Sequence, residues 1–179
     1  MTKYFRIEPD CDDQGNPGYK AFCDTSDSTR KIGEIIFSAE STERNRASTA
    51  FATGVSLVEC RGDLKKPLGD ITFFPWFDMI LSDLAFALLG EPVKDFGDFY
   101  PVRVAACERK AKARKAIPLT WELFGFKAWT TGTLQDAESH QWPIFVQVES
   151  PYRTLIRENV VQMMLDAGLT GFVTIPVNL

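Results

Sequence analysis

The last thirty residues constrain this chain most: S-P-Y-R-T-L-I-R-E-N-V-V-Q-M-M-L-D-A-G-L-T-G-F-V-T-I-P-V-N-L, from Ser150 to Leu179. Ser150 suits a helix N-cap, because its hydroxyl can accept from the free N–H groups of a first turn. Pro151 suits the first helical position, where its missing N–H costs nothing. Ile156, Val160, Met163, Met164 and Ala167 recur at three- and four-residue spacing. That spacing predicts a helix over 151–167 with one apolar face. Gly168 can take the left-handed conformation that ends a helix. Gly171 then turns the chain into Phe172-Val173-Thr174-Ile175, a β-branched strand that Pro176 closes.

A weaker copy of the pattern lies upstream. Met79-Ile80-Leu81 is a short apolar run, Ser82 a second N-cap, Leu84, Leu88 and Leu89 a helical face, and Gly90 a stop. The helix predicted here covers 82–90, and Phe99 to Val104 forms the strand after it. The later copy has its own leading run, Pro143 to Val148. Each copy then reads strand, serine cap, helix, glycine, strand, with a Pro-Val pair near its end (Pro101-Val102 and Pro176-Val177). The two modules span about 78–104 and 143–177. A chain of 179 residues has the length for one core, so the expectation is a single α+β domain. Its mixed or antiparallel sheet would carry two principal helices.

The net charge of −4 and a pI of about 5.1 argue against a nucleic-acid partner, which calls for a basic field. They suit a basic protein partner. Cys11, Cys23, Cys60 and Cys107 form no C-x-x-C pair, so neither a zinc site nor a redox motif is expected. The N-terminus M-T-K-Y-F-R-I-E lacks the apolar core of a signal peptide, and no apolar run reaches membrane-spanning length. The expectation is a cytoplasmic protein with free thiols, no cofactor and no membrane partner.

Three segments invite a functional reading. Lys3 to Glu8 reads as a strand, and the polar loop after it holds Asp10, Asp12 and Asp13. This is not a calcium loop of the EF-hand type. Counting from Asp10, the twelfth position is Ala21 where a bidentate glutamate is required. A solvated loop is one reading, and a contact with a basic partner is the other. Next, Ile71 to Phe77 (I-T-F-F-P-W-F) concentrates aromatics around Pro75, which bars a central strand from running through it. Phe73, Phe74, Trp76 and Phe77 are either core or an aromatic contact patch. Last, Arg109 to Lys115 (R-K-A-K-A-R-K) is the densest charge run, and its cations do not segregate to one helical face. It reads as a solvated helix or hairpin tip, with a phosphate contact as the alternative. Val55 to Cys60 looks like a strand, Leu119 to Trp129 like one or two, and Thr130 to Gln141 like a polar connection.

No catalytic constellation stands out. The one histidine, His140, lies beside Ser139 in A-E-S-H-Q-W, but adjacency along the chain does not supply triad geometry. The phosphate-binding glycine loops, the nucleophile elbow and H-E-x-x-H are all missing. Carboxylate acid–base chemistry leaves no sequence signature, so a small carboxylate enzyme stays among the alternatives.

Tyr4-Phe5-Arg6-Ile7, the run Ile80 to Leu89 followed by Phe99 to Val104, and Met164 to Phe172 (M-L-D-A-G-L-T-G-F) with its final Pro-Val together resemble a family of bacterial polymorphic-toxin immunity proteins. The A-G-L-T-G-F turn is the most specific of these patches. The branch of that family with paired C-x-x-C-G motifs is not represented. The resemblance implies an α+β inhibitor that binds a cognate secreted toxin domain and blocks its active site or locks it inactive. It carries no catalytic residues. A basic toxin such as a nuclease would suit the acidic chain. The residues expected to touch the partner are Asp10, Asp12, Asp13, Phe74, Trp76 and Phe77. A binding module unrelated to toxins is the other non-enzymatic alternative.

Overall fold

The computed structural model describes residues 3–11, 18–19, 21–23, 59–61, 66–74, 77–110, 113–148 and 154–177. Ser150, Pro151 and most of the Val55–Cys60 stretch lie outside the described residues. The chain is α+β, and its strands form two sheets. The five-stranded sheet has the order β11 (Phe172–Val177), β1 (Tyr4–Pro9), β10 (Thr154–Arg157), β9 (Ile144–Gln147), β8 (Thr131–Gly132). The six-stranded sheet has the order β2 (Ala21–Cys23), β3 (Glu59–Arg61), β6 (Gly97–Lys110), β7 (Ala113–Ala128), β5 (Phe77–Leu81), β4 (Ile71–Phe74). Pairing is antiparallel except between β8 and β9 and between β3 and β6. The edge strands β2 and β4 also lie alongside each other, so the six-stranded sheet curls toward closure.

The helices are α1 (Asp83–Val93), α2 (Leu134–His140) and α3 (Glu158–Asp166). α1 and α3 do the same topological work. Strands β5 and β6 are each antiparallel to β7, so they run parallel to one another with β7 between them. α1 makes the crossover that a parallel pair requires. Strands β10 and β11 flank β1 in the same way, and α3 makes their crossover.

Ser82 caps α1 as its sequence position predicts, its Oγ accepting from Ala85 N at 3.2 Å. The helix does not stop at Gly90. It runs on through Gly90 and Pro92 to Val93, which is buried. Burying a valine contributes about 1.5–3 kcal/mol, more than the cost of about 1 kcal/mol for a helical glycine and part of the cost of about 3 kcal/mol for a helical proline. The buried stripe is Ala85, Leu89 and Val93, whereas Leu84 is 57% exposed.

The second principal helix is shorter than 151–167. Thr154, Leu155 and Ile156 are all buried and form β10, paired on one side with β1 and on the other with β9. A helix would present only one face of such a run, while a strand inside a sheet buries both. α3 starts one residue after Arg157, which gives no side-chain cap; the Glu158 N–H donates instead to Lys3 O at 2.9 Å. Its end is a Schellman motif. Gly168 N donates to Leu165 O at 2.9 Å and Leu169 N to Met164 O at 3.0 Å, with Gly168 at φ +67°. Pro176 does not end β11. It pairs with Phe5 on an edge strand, where a missing N–H is tolerated.

One core serves both sheets. Ile7, Ile144 and Ile156 from the five-stranded sheet pack with Ile71, Met79 and Phe126 from the six-stranded one, and α1 and α3 add Leu89 and Met164. A smaller cluster of Tyr4, Ala137, Phe145 and Leu155 lies under α2, where the sequence suggests only a polar connection.

Candidate functional site

Asp10 leaves the end of β1 at a corner where four elements meet. Its N–H donates to Gly171 O at 3.3 Å, and its carbonyl accepts from Gly18 N at 2.8 Å. The acidic loop therefore springs from and returns to this corner. Asp12 and Asp13 lie outside the described residues. Beside Asp10, the carboxylate of Asp70 accepts from Ser82 Oγ at 3.0 Å, Thr170 N at 3.0 Å and Thr170 Oγ1 at 2.7 Å. The cap of α1 is thus tied to the turn after α3. Gly171 holds φ +96°, and a Cβ there would stand 2.3 Å from Ile71 O. The A-G-L-T-G-F turn earns its specificity here: a left-handed helix stop, a threonine for Asp70, and a glycine where two backbones nearly touch.

The aromatic segment divides. β4 and β5 form a hairpin in which Phe74 pairs with Phe77, and Pro75 and Trp76, in the link between them, lie outside the described residues. Phe73 packs against the main core. Phe77 is 8% exposed and sits over Gly125 and against Tyr100 at a ring separation of 6.0 Å. Phe77 is therefore a core residue rather than a surface contact. The antiparallel pairing of β5 with β7 sets this side chain over Gly125, which leaves room for its ring. The large apolar side chains exposed on the described surface are Leu84, Trp129, Val148, Leu165 and Val173, on five different segments. Leu165 lies off the apolar face that the sequence spacing predicts, whereas Leu84 was expected on such a face and is exposed instead.

Two further polar groupings bear on chemistry. Asp78 on β5 receives Ala128 N at 2.8 Å, Lys127 Nζ at 3.2 Å and the hydroxyl of Thr154 on β10. Its carboxylate is nearly enclosed and joins the two sheets. On α2, Ser139 Oγ and Asp136 O both approach Nδ1 of His140, at 3.0 and 2.8 Å. A hydrolytic triad would place the serine on Nε2 and a carboxylate on Nδ1. Here the Asp136 carboxylate instead takes the N–H and hydroxyl of Thr133 at 2.9 and 2.7 Å, completing a capping box. Those bonds hold the Asp136 carboxyl below the usual carboxylate range. The T-L-Q-D spacing was the available signal for α2. His140 stacks on Trp142 at 5.4 Å, as a surface aromatic contact.

Tyr4 is buried on β1. Its hydroxyl points at Ala137 O and Trp142 O, at 2.8 and 3.0 Å. Burial pushes its pKa up, partly countered by the nearby Arg157. Among the described residues, no group of three or more His, Cys, Asp or Glu side chains could hold a metal ion, and no helix is long and apolar enough to cross a membrane. Compared with protein-family models and with curated protein sequences, the chain matches none.

Proposed function

We propose that this protein acts by binding: it is an immunity-type inhibitor that neutralises a cognate bacterial toxin domain, by covering its active site or holding it inactive. The observation that carries this reading is the resemblance in three patches, together with where they lie. Tyr4–Ile7, the β5–α1–β6 run and Met164–Phe172 are far apart in sequence, yet they contribute Ile7, Leu81, Leu89, Met164 and Phe172 to one core. The second and third are also tied together through Asp70, whose carboxylate accepts from Ser82 Oγ and Thr170 Oγ1. The resembling residues are thus mainly those that build the scaffold. Such inhibitors would need contact residues particular to each partner, and these would come from the loops between the patches.

The acidic balance of the chain favours a basic toxin such as a nuclease, whose capture it would accelerate. Asp10 opens the loop proposed to make first contact, with Asp12 and Asp13 beside it in sequence. A carboxylate enzyme is the weaker reading, because Asp70 and Asp78 spend their oxygens on the chain's own donors. The test is co-expression with the toxin-like product of the neighbouring reading frame. Restored growth and co-purification are expected. Continued killing with no complex would remove the proposal, as would turnover of a substrate by the isolated protein.

A further inference from the structure

A strand at the edge of a sheet is a row of unpaired backbone groups that can template pairing with another chain. Among the described residues, the two sheets have four such edges. β2 and β4 lie alongside each other. β8 has two residues, too few to template a ladder. β11 differs from these. It runs for six residues, F-V-T-I-P-V, and among the described strands it pairs on one side only, with β1. It carries no charge of the kind that keeps natural edges apart.

The register decides which backbone groups face outward. Hydrogen-bonded and non-hydrogen-bonded pairs alternate along an antiparallel ladder. Asp10 N donates to Gly171 O, one step beyond the pairing of Pro9 with Phe172. The bonded pairs are therefore Glu8↔Val173, Arg6↔Ile175 and Tyr4↔Val177, and the pairs between them hold both prolines, Pro9 and Pro176. Phe172, Thr174 and Pro176 then turn their backbone groups away from β1. Phe172 and Thr174 each offer an N–H and a carbonyl on that side, and Pro176 a carbonyl alone. The side chains divide by face. Phe172 enters the main core with Ile7, whereas Val173 and Ile175 lie opposite Glu8 and Arg6 on the other face. Val173 is 40% exposed.

We propose that β11 binds a second copy of this chain, the two strands pairing antiparallel about a two-fold axis at Thr174. The pattern of β11 is its own complement. Across that axis the two Thr174 residues exchange N–H···O bonds, and each Phe172 N–H meets the second copy's Pro176 carbonyl. That is two bonds at the centre and one at each end. Pro176 returns no bond, so the association is limited rather than blocked. An axis at Val173 would allow as many bonds, but it sets Val173 on Val173 and Glu8 in line with Glu8. The Thr174 axis sets Val173 against the second copy's Ile175 on both sides and puts Glu8 in line with Arg6 along each row. Aliphatic cross-strand pairs favour that register, and like charges do not oppose it. This self-association goes beyond toxin neutralisation and does not depend on it.

The experiment is sedimentation equilibrium of the full chain in reducing buffer, which keeps the exposed Cys11 from linking copies. The mass should be 20.1 kDa in dilute solution and approach twice that at about 1 mM, because a seam one strand wide falls below the roughly 1,200 Å² of a stable interface. Thr174→Pro deletes an outward N–H that the monomer does not use, so it should abolish the dimer and leave the circular dichroism spectrum unchanged. Val173→Lys puts a charge at an exposed edge position and should do the same, which keeps the test open if Thr174→Pro does not fold. Pro176→Ala restores an N–H opposite the second copy's Phe172 carbonyl and should tighten the dimer roughly tenfold or more, the scale of two net hydrogen bonds. A monomer at every concentration would overturn the proposal. So would a dimer that survives Val173→Lys, or one that Pro176→Ala leaves no tighter. A monomeric parent that captures a foreign extended peptide, and loses it on Val173→Lys, would also overturn it and give the edge to another protein's strand.

Discussion

At the scale of single residues, two glycines in one turn are held for different reasons. Gly168 has φ +67° with nothing near the place of a Cβ, so Gly168→Ala meets only backbone strain, about 1 kcal/mol. Gly171 combines φ +96° with a Cβ position 2.3 Å from Ile71 O, so Gly171→Ala must also push β4 away. Its cost should exceed that of Gly168→Ala by about 2 kcal/mol, the usual scale of overpacking. Chemical denaturation of the two variants checks this, and equal midpoints would refute the close approach. Asp78 offers a second residue-scale test. Asp78→Ala removes the acceptor of Ala128 N and of the Thr154 hydroxyl, and a carboxylate beside Lys127 Nζ, in a site only 9% exposed at the carboxylate. Breaking a largely buried pair in this way costs about 3 kcal/mol. Asp78→Asn keeps an acceptor and should cost less.

At the scale of elements, α2 shows what a short helix owes to its cap. Thr133 and Asp136 satisfy each other's end groups, and Thr133→Ala should cost about 1 kcal/mol. Because the folded carboxyl of Asp136 titrates below its ordinary 3.8, the box is intact above that pH and its contribution fades as pH falls through the lowered value. Protection of the Asp136 to His140 amides, taken relative to their intrinsic exchange rates, should therefore fall in acid ahead of the sheets. Protection there that ignores both Thr133→Ala and acid would refute the box. The same helix marks the limit of what the residues disclosed. Its T-L-Q-D signal was present but was outweighed by the polarity around it. Ser82, the turn at Gly168 to Gly171 and strand β1 were legible because each rests on a local rule. β10 was not, because Ile156 and Val160 keep helical spacing across a strand–helix junction, and only the strands on either side decide that Thr154 to Ile156 lie flat. Of the candidate contacts, Phe77 was misplaced for the same kind of reason: its burial depends on Gly125, a strand away in the sheet.

At the scale of the whole molecule, the question is whether the two sheets unfold together. Their shared core and the Asp78–Thr154 bond across them say that they do. Met164 is the residue to probe, since it is fully buried on α3 and packs in the cluster that both sheets line. Met164→Ala should cost about 2–5 kcal/mol. If β1 and β7 belong to one cooperative unit, their most protected amides open only with global unfolding, and both must lose the same free energy. A loss of 3 kcal/mol would speed exchange by roughly a hundredfold in each, although α3 crosses over only the five-stranded sheet. Faster exchange in β1, β10 and β11 alone would divide the molecule into two units. The proposed inhibitor function would gain from the single unit, because a corner built from Asp10, Asp70 and Thr170 holds its shape only while both sheets do.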